Sequence, residues 1–511
     1  MEEPGSKWRS YQDGLKREAK AAREKKRKKR EAEASAPEPS RPRRVPKARE
    51  PRRSAKPSHR LRRAREESAA AWRAFSGGLG RAWRGVLDWL IRQKEIRSPA
   101  ILILASVAAI ALMGLLAAGL LRLPGRGEKA PKMPPSGWTR AQVRALIGNA
   151  AIDAWTGPQK LKAGGRTYTV TPTLDADLNP YMRSIIDPQY ARWIGFAAMD
   201  PETGRILAVA GFSRDGDKEH PVFGHLYPAA SVFKIVTATA AVDLAHLTAD
   251  TQVGFVGNKY TLYKNQVTPD PARQNNQLPL KEAFGESVNP AFGLIGAYVV
   301  GPENLRDKAC SFGFGRRLDV EVPVATAVCA FPESGDDFGV AQVASGFNRT
   351  TLITPIQGAA FVAALVNGGT YLDPSIVDKV TDETGKAVYE GRKKEVGRVC
   401  SSETAAEILR MMGETIVMGT ARRLFAGYGK DPVLSLLDLG GKTGSMNDGV
   451  EHSIRYDWFV GFARQKGGTK ALVVASVVAH DKFIGTRAAH YARMAMKRYF
   501  ANLAPASAPS P

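Results

Sequence analysis

An α/β fold of the α+β kind is the reading the sequence favours for residues 165–501, and three observations carry it. Two strand-like runs, 193–199 and 205–212, flank Asp200-Pro201-Glu202-Thr203-Gly204 and read as a hairpin. A long middle stretch is mainly helical in pattern, with an apolar run at 235–247 that reads as a buried helix. Two further apolar runs, 458–462 and 471–478, read as strands, and a helical pattern near 486–500 closes the domain. That length is ample for one core with two subdomains.

Ahead of this domain the chain changes character several times. Residues 1–66 are rich in Lys, Arg, Glu and Pro without apolar periodicity, so a disordered cytoplasmic tail is expected, apart from a charged, solvated helix near 12–34. Over 67–98, Trp72, Phe75, Leu79, Trp83, Leu87, Trp89, Leu90 and Ile91 suggest a juxtamembrane amphipathic helix, with basic neighbours drawn to anionic inner-leaflet lipid. Residues 100–121 are an uncharged run rich in Leu, Ala and Ile. At 1.5 Å per residue it spans roughly 33 Å, enough for one transmembrane helix. It is too long, and follows too large a basic region, for a cleaved signal peptide.

Lys and Arg tie at five on each side within 20 residues of the run, so the local charge rule does not orient it. Residues 1–98 hold 30 Lys and Arg against 13 Asp and Glu, a net +17 of the chain's +24, which favours a cytoplasmic N-terminus. Such charge also suits nucleic acid, but no nucleic-acid motif accompanies it. Residues 122–164 are expected to form a linker and a short helix capped by Thr139, and 502–511 a disordered tail.

The chemistry concentrates in three motifs: Ser231-Val232-Phe233-Lys234, Ser287-Val288-Asn289 and Lys442-Thr443-Gly444-Ser445. The first two patterns would each arise roughly once by chance in a chain this long. The third is rarer, and the order of all three rarer still. A serine hydroxyl needs a base within hydrogen-bond reach, and Lys234 falls one helical turn after Ser231. Burial and a nearby positive charge would lower its pKa toward neutrality. Ser287 and Asn289 are two apart and share no helix face, so their segment must be a loop or turn, which Gly285 and Pro290 suit. On a strand, Lys442 and Gly444 face one way and Thr443 and Ser445 the other. Bringing Lys442, Thr443 and Ser445 all into one site therefore implies a twist or kink at Gly444.

Read as S-x-x-K, S-x-N and K-T-G, the motifs resemble the three-part signature of the penicillin-binding proteins and serine β-lactamases. The stretch Met199-Asp200-Pro201-Glu202-Thr203-Gly204-Arg205-Ile206-Leu207-Ala208 resembles the first hairpin of the penicillin-binding transpeptidases. Thr354-Pro355-Ile356-Gln357 resembles the start of their helix beyond the second motif. The likeness covers about residues 165–500 and is to a monofunctional, class B-like form. Only about 40–50 residues precede the domain after the apolar run, too few for a pedestal or glycosyltransferase domain.

The resemblance implies a serine penicillin-recognising fold: a five-stranded antiparallel sheet flanked by helices, joined to a helical subdomain, with the site at the junction. It implies D,D-transpeptidation of peptidoglycan stem peptides through a Ser231 acyl-enzyme, inhibition by β-lactams, and a place outside the bacterial cytoplasmic membrane. Other cell-wall synthesis proteins are implied partners. In this scheme Lys234 is the base and Lys442 the second charge, while Ser287 relays a proton to the leaving amine. Asn289 holds the donor's backbone amide, and Thr443, Gly444 and Ser445 form the subsite for its terminal carboxylate. The backbone N–H groups of Ser231 and Ser445 form the oxyanion hole.

A D,D-carboxypeptidase would use the same residues with water as acceptor. A β-lactamase needs a deacylating carboxylate, for which Glu282 and Glu286 are candidates only by position. A non-enzymatic β-lactam sensor or scaffold would ordinarily carry an effector module. No cofactor or metal is expected: the seven histidines show no His-x-x-x-His spacing, and there is no Cys-x-x-Cys, Walker or dinucleotide fingerprint. His225, six residues before Ser231, could line the cleft, although a packing role is commoner. Cys310 and Cys329 enclose a loop that could carry a disulfide, leaving Cys400 over.

Overall fold

The computed structural model describes residues 137–503 except 217–218, 334 and 450–453. The basic tail, the juxtamembrane segment, the apolar run 100–121 and the C-terminal tail from 504 lie outside the described residues. Among those described, no helix is long and apolar enough to cross a membrane.

Five antiparallel strands form the central sheet: β1 Ala191–Met199, β2 Ile206–Ser213, β3 Leu437–Asn447, β4 Arg455–Gln465 and β5 Ala471–His480. Their spatial order is β3-β4-β5-β1-β2, so the early hairpin closes onto the last strand and β3 is an edge. The helices that position the site are α1 Lys234–Asp243, α2 Asn289–Leu294, α3 Pro355–Val366, α4 Ser402–Val417 and α5 Ala488–Tyr499. On one sheet face Ile194, Phe196, Ala198, Val474 and Val478 join Tyr491, Ala492, Ala495 and Met496 of α5 in one core. On the other, Ala197, Met199, Val473, Ala475 and Val477 join Ile356 and Phe361 of α3. Burial on both faces is why these strands read as continuous apolar runs rather than alternating ones. α3 starts where the sequence signals it: Thr354 and Gln357 form a reciprocal capping box with Pro355 at the first turn.

Residues 137–164 are more than the expected linker and short helix. Thr139 does cap a helix, Arg140–Ile147. Strand Gln159–Ala163 then pairs with Arg166–Pro172 in a four-stranded sheet completed by Val377–Thr381 and Ala387–Glu390. Arg140 is buried; it donates to Pro374 O at 3.1 Å and Arg392 O at 2.9 Å. Its Nε lies 3.3 Å from Glu321, which is fully buried. Glu321 accepts from Ser375 Oγ and Ile376 N, each at 2.9 Å, and from the Tyr389 hydroxyl. The folded body thus begins ahead of residue 165. The three cysteines are free, and the Cys310–Cys329 pairing is not formed.

Candidate active site

The turn that carries Ser231 is held on several sides. Tyr227–Pro228 pairs with Leu352–Ile353, Ala229 N donates to Thr351 O at 2.8 Å, and Trp458 Nε1 donates to Pro228 O at 2.8 Å. Ala230–Phe233 is a 3₁₀ turn feeding α1, where an α-helix was expected from Ser231 onward. A 3₁₀ turn eclipses side chains three apart, and Lys234 Nζ sits 2.8 Å from Ser231 Oγ. Ala230, just before the serine, has φ +48, a strained value for an L residue. Gly346 packs beneath it: a Cβ there would lie 1.9 Å from Ala230 O, and its φ of +68 also demands glycine.

Lys234 is fully buried and donates to three acceptors: Ser231 Oγ, Asn289 Oδ1 at 2.7 Å and Ser345 O at 2.6 Å. Burial, then repulsion from Lys442, holds its pKa well below the usual lysine value. Once neutral, the amine keeps two N–H groups for Asn289 and Ser345 and turns its lone pair toward Ser231 Oγ.

Ser287 has φ +61, so the second motif is the turn its spacing required. Ala230 and Ser287 are two of the three non-glycine residues with positive φ among the described residues; the third is His246. Asn289 begins α2 and spans a gap: Oδ1 accepts from Lys234 while Nδ2 donates to Tyr260 O at 3.0 Å.

β3 corrects the expected kink at Gly444. It pairs with β4 in unbroken register from Leu437↔Gln465 to Asn447↔Arg455. Thr443 and Ser445 line the cleft with Ser231, Ser287 and Asn289. Lys442 and Gly444 take the buried face. Gly444 has Ala229 O, Ala230 Cβ and Trp458 Cβ each 3.3 Å from where a Cβ would stand, so the strand lies close against the Ser231 turn. Lys442 approaches from beneath instead of from the cleft: Nζ donates to Thr443 O at 2.9 Å and lies 5.6 Å from the Phe284 ring centroid. Burial lowers its pKa to about 7.

These residues border a cleft of about 760 Å³. Much of its wall lies outside the three motifs. Thr420 hydrogen-bonds Thr443 Oγ1 and donates from Oγ1 and N to Gly285 O at 3.3 and 3.1 Å, tying the second motif to the third. Lys259, Tyr260, Met418, Arg422, Arg423, Arg455 and Arg487 also line it. Nothing in local spacing marks them, because they come from four separate segments. Glu286 lines the cleft but is ion-paired with Lys259, while Glu282 borders a smaller neighbouring cavity with Glu414. His225 stacks on Trp193 at 4.6 Å and packs on Tyr227 at 4.4 Å, away from the cleft lining. No group of His, Cys, Asp and Glu among the described residues could hold a metal ion.

The family model described as penicillin binding protein transpeptidase domain matches residues 194–499. The chain is 27% identical over 297 residues to penicillin-binding protein PbpB of Mycolicibacterium smegmatis, covering 54% of this chain and 44% of that protein. It is 22% identical over 379 residues to peptidoglycan D,D-transpeptidase PbpA of Mycobacterium tuberculosis, covering 67% and 73%. The chain thus spans less than half the length of PbpB. In fold it is similar to the apo crystal structure of penicillin binding protein 3 from Mycobacterium tuberculosis, with a TM-score of 0.55, 20% identity, and coverage of 75% and 92%.

Proposed function

The chain belongs to the penicillin-binding protein transpeptidase family, and from that premise we propose that it is a peptidoglycan D,D-transpeptidase inhibited by β-lactams. The observation that carries the reading is the buried Lys234 amine 2.8 Å from Ser231 Oγ, with its pKa pushed well down. Lys234 takes the hydroxyl proton as Ser231 Oγ bonds to the carbonyl carbon of the D-alanyl-D-alanine peptide bond. The carbonyl electron pair moves onto oxygen, held by the backbone N–H groups of Ser231 and Ser445. Collapse breaks the C–N bond, and the departing amine takes the proton from Lys234 by way of Ser287. An acceptor amine then gives its proton to Lys234, attacks the ester and expels Ser231 Oγ, which recovers the proton.

Thr443, Gly444 and Ser445 shape the subsite for the donor's terminal carboxylate. Asn289 acts first on Lys234, whose lone pair it aims, and offers its edge to the donor's amide. Lys442 works through Lys234: its charge, buried under β3, drives the proton off the base. The run 100–121 would cross the cytoplasmic membrane once, with the basic N-terminal tail on anionic lipid inside and residues 137–503 outside with the peptidoglycan and other cell-wall synthesis proteins.

The test is product partition. The full chain in detergent is given a D-alanyl-D-alanine donor and an amine acceptor, and products are resolved by mass. Transfer product that rises with acceptor concentration is expected. Hydrolysed donor alone, at every acceptor concentration, would make it a carboxypeptidase.

A further inference from the structure

The cleft carries more positive charge than one terminal carboxylate calls for. Among the described residues its lining includes Lys259, Arg422, Arg423, Arg455 and Arg487 against the single acid Glu286. Glu286 is committed to Lys259. The acid behind the wall, Asp457, is committed to Arg487, whose Nε and Nη2 reach its two oxygens at 2.8 and 2.9 Å. That side-on grip leaves Arg487 Nη1 unspent, on a side chain still 36% exposed. Asp457 also accepts from Ala488 N at 2.9 Å and is itself buried, so Arg487 is held rigidly. Among the described residues, Arg422, Arg423 and Arg455 have no ion-pair partner.

The arginines are ordered in space by the β3–β4 ladder. Asp457 stands opposite Ser445, and Arg455 stands opposite Asn447. Residues two apart share a strand face and lie about 7 Å apart along it, so Arg455 sits one such step beyond the rung of Ser445. Arg422 and Arg423 follow the Thr420 bridge on the facing wall. Cationic groups therefore line the floor and wall beyond Ser445, where the first carboxylate is read.

We propose that Arg455, Arg487 and the Arg422–Arg423 pair form a second anion subsite, which takes a side-chain carboxylate of the stem peptide and so selects substrates whose dicarboxylic residue is free rather than amidated. The proposal rests on the transpeptidase reading above. The same carboxylate chemistry could arrive on the donor or on the acceptor strand, and the two are separable by kinetics. Acylation of Ser231 involves only the donor; transfer involves both.

The experiment uses the full chain in detergent with synthetic stem peptides ending in D-alanyl-D-alanine. Each is made as a pair, identical except that the side-chain carboxylate of the third residue is free or amidated. In the first arm the acylation rate constant is measured for each donor. In the second the donor is fixed and the acceptor is varied. The free acid should be preferred by about ten-fold or more in one arm, as for loss of a charge-assisted hydrogen bond. That ratio should shrink as salt is raised and fall toward one in Arg455→Gln and in the double variant Arg422→Gln/Arg423→Gln. Each ratio is internal to one preparation, so a partly misfolded variant does not disturb it. Equal rates for acid and amide in both arms, or a preference that survives all three substitutions, would overturn the subsite. Absence of any Ser231 adduct, from donor or from penicillin, would instead remove the transpeptidase reading and the subsite with it.

Discussion

Two buried lysines set how this site should respond to pH. Lys234 is depressed by burial and by Lys442, and Lys442 by burial alone, to about 7. With Lys234 as the proposed base and Lys442 as its neighbouring charge, the acylation rate should rise as Lys234 deprotonates and decline as Lys442 does, near pH 7. Lys442→Met removes the repulsion, lets Lys234 keep its proton longer and should move the rising limb to higher pH. A limb that stays in place in stopped-flow acylation would contradict that coupling. Stability follows the same shifts. Between about pH 7 and the unfolded lysine value of roughly 10.4, the folded state binds fewer protons at Lys442 than the unfolded state does. Stability from this residue therefore rises with pH across that window, and the penalty is fully present below it. In Lys442→Met, the denaturation midpoint should lose that part of its climb.

At the scale of elements, the site is a junction of turns, and the ties between them are testable. Thr420 bonds both Thr443 and Gly285 O, so Thr420→Val should slow acylation by up to about ten-fold, the worth of a net hydrogen bond or so, and Thr420→Ser should restore it. An unchanged rate in Thr420→Val would mean that these hydroxyl bonds do not position Thr443. Away from the cleft, Arg140→Met would strand Glu321, which is 0% exposed. That should cost about 3–5 kcal/mol in urea unfolding, and adding Glu321→Gln should recover part of it. A loss below about 1 kcal/mol would mean that the helix Arg140–Ile147 is not anchored through this pair.

These elements also show what the sequence made legible. The motif residues were visible because each chemical need fixes a residue type at a fixed spacing, and Ser231 with Lys234 is the clearest case. The hairpin β1–β2 was visible for similar local reasons, and the start of α3 at Thr354-Pro355 through the family resemblance. The 3₁₀ turn at Ala230 was not, since its positive φ is imposed by packing against Gly346, more than a hundred residues away. The unkinked course of β3 was missed because a long lysine can reach from the buried face around to its own strand's carbonyl. Gln159–Ala163 was missed because Gln-Lys-Leu-Lys-Ala carries one large apolar residue, and only its partner strand makes it β.

For the whole molecule, the sheet buried on both faces gives the cleft a rigid floor, and the basic N-terminal region gives the chain its charge asymmetry. If residues 100–121 anchor the chain, the full-length protein should stay in the membrane pellet after alkaline carbonate extraction, and removing residues 1–121 should release it. Full-length chain in the supernatant would contradict a spanning segment. The claim on which everything else depends is that Ser231 is the nucleophile of a slowly deacylating enzyme. The most direct measurement is a time course of fluorescent penicillin labelling, with the adduct mapped by mass spectrometry, for the native chain and Ser231→Ala. One stable adduct is expected on the peptide containing Ser231, absent in the variant. A label that survives Ser231→Ala, or a folded native protein that takes none, would contradict it.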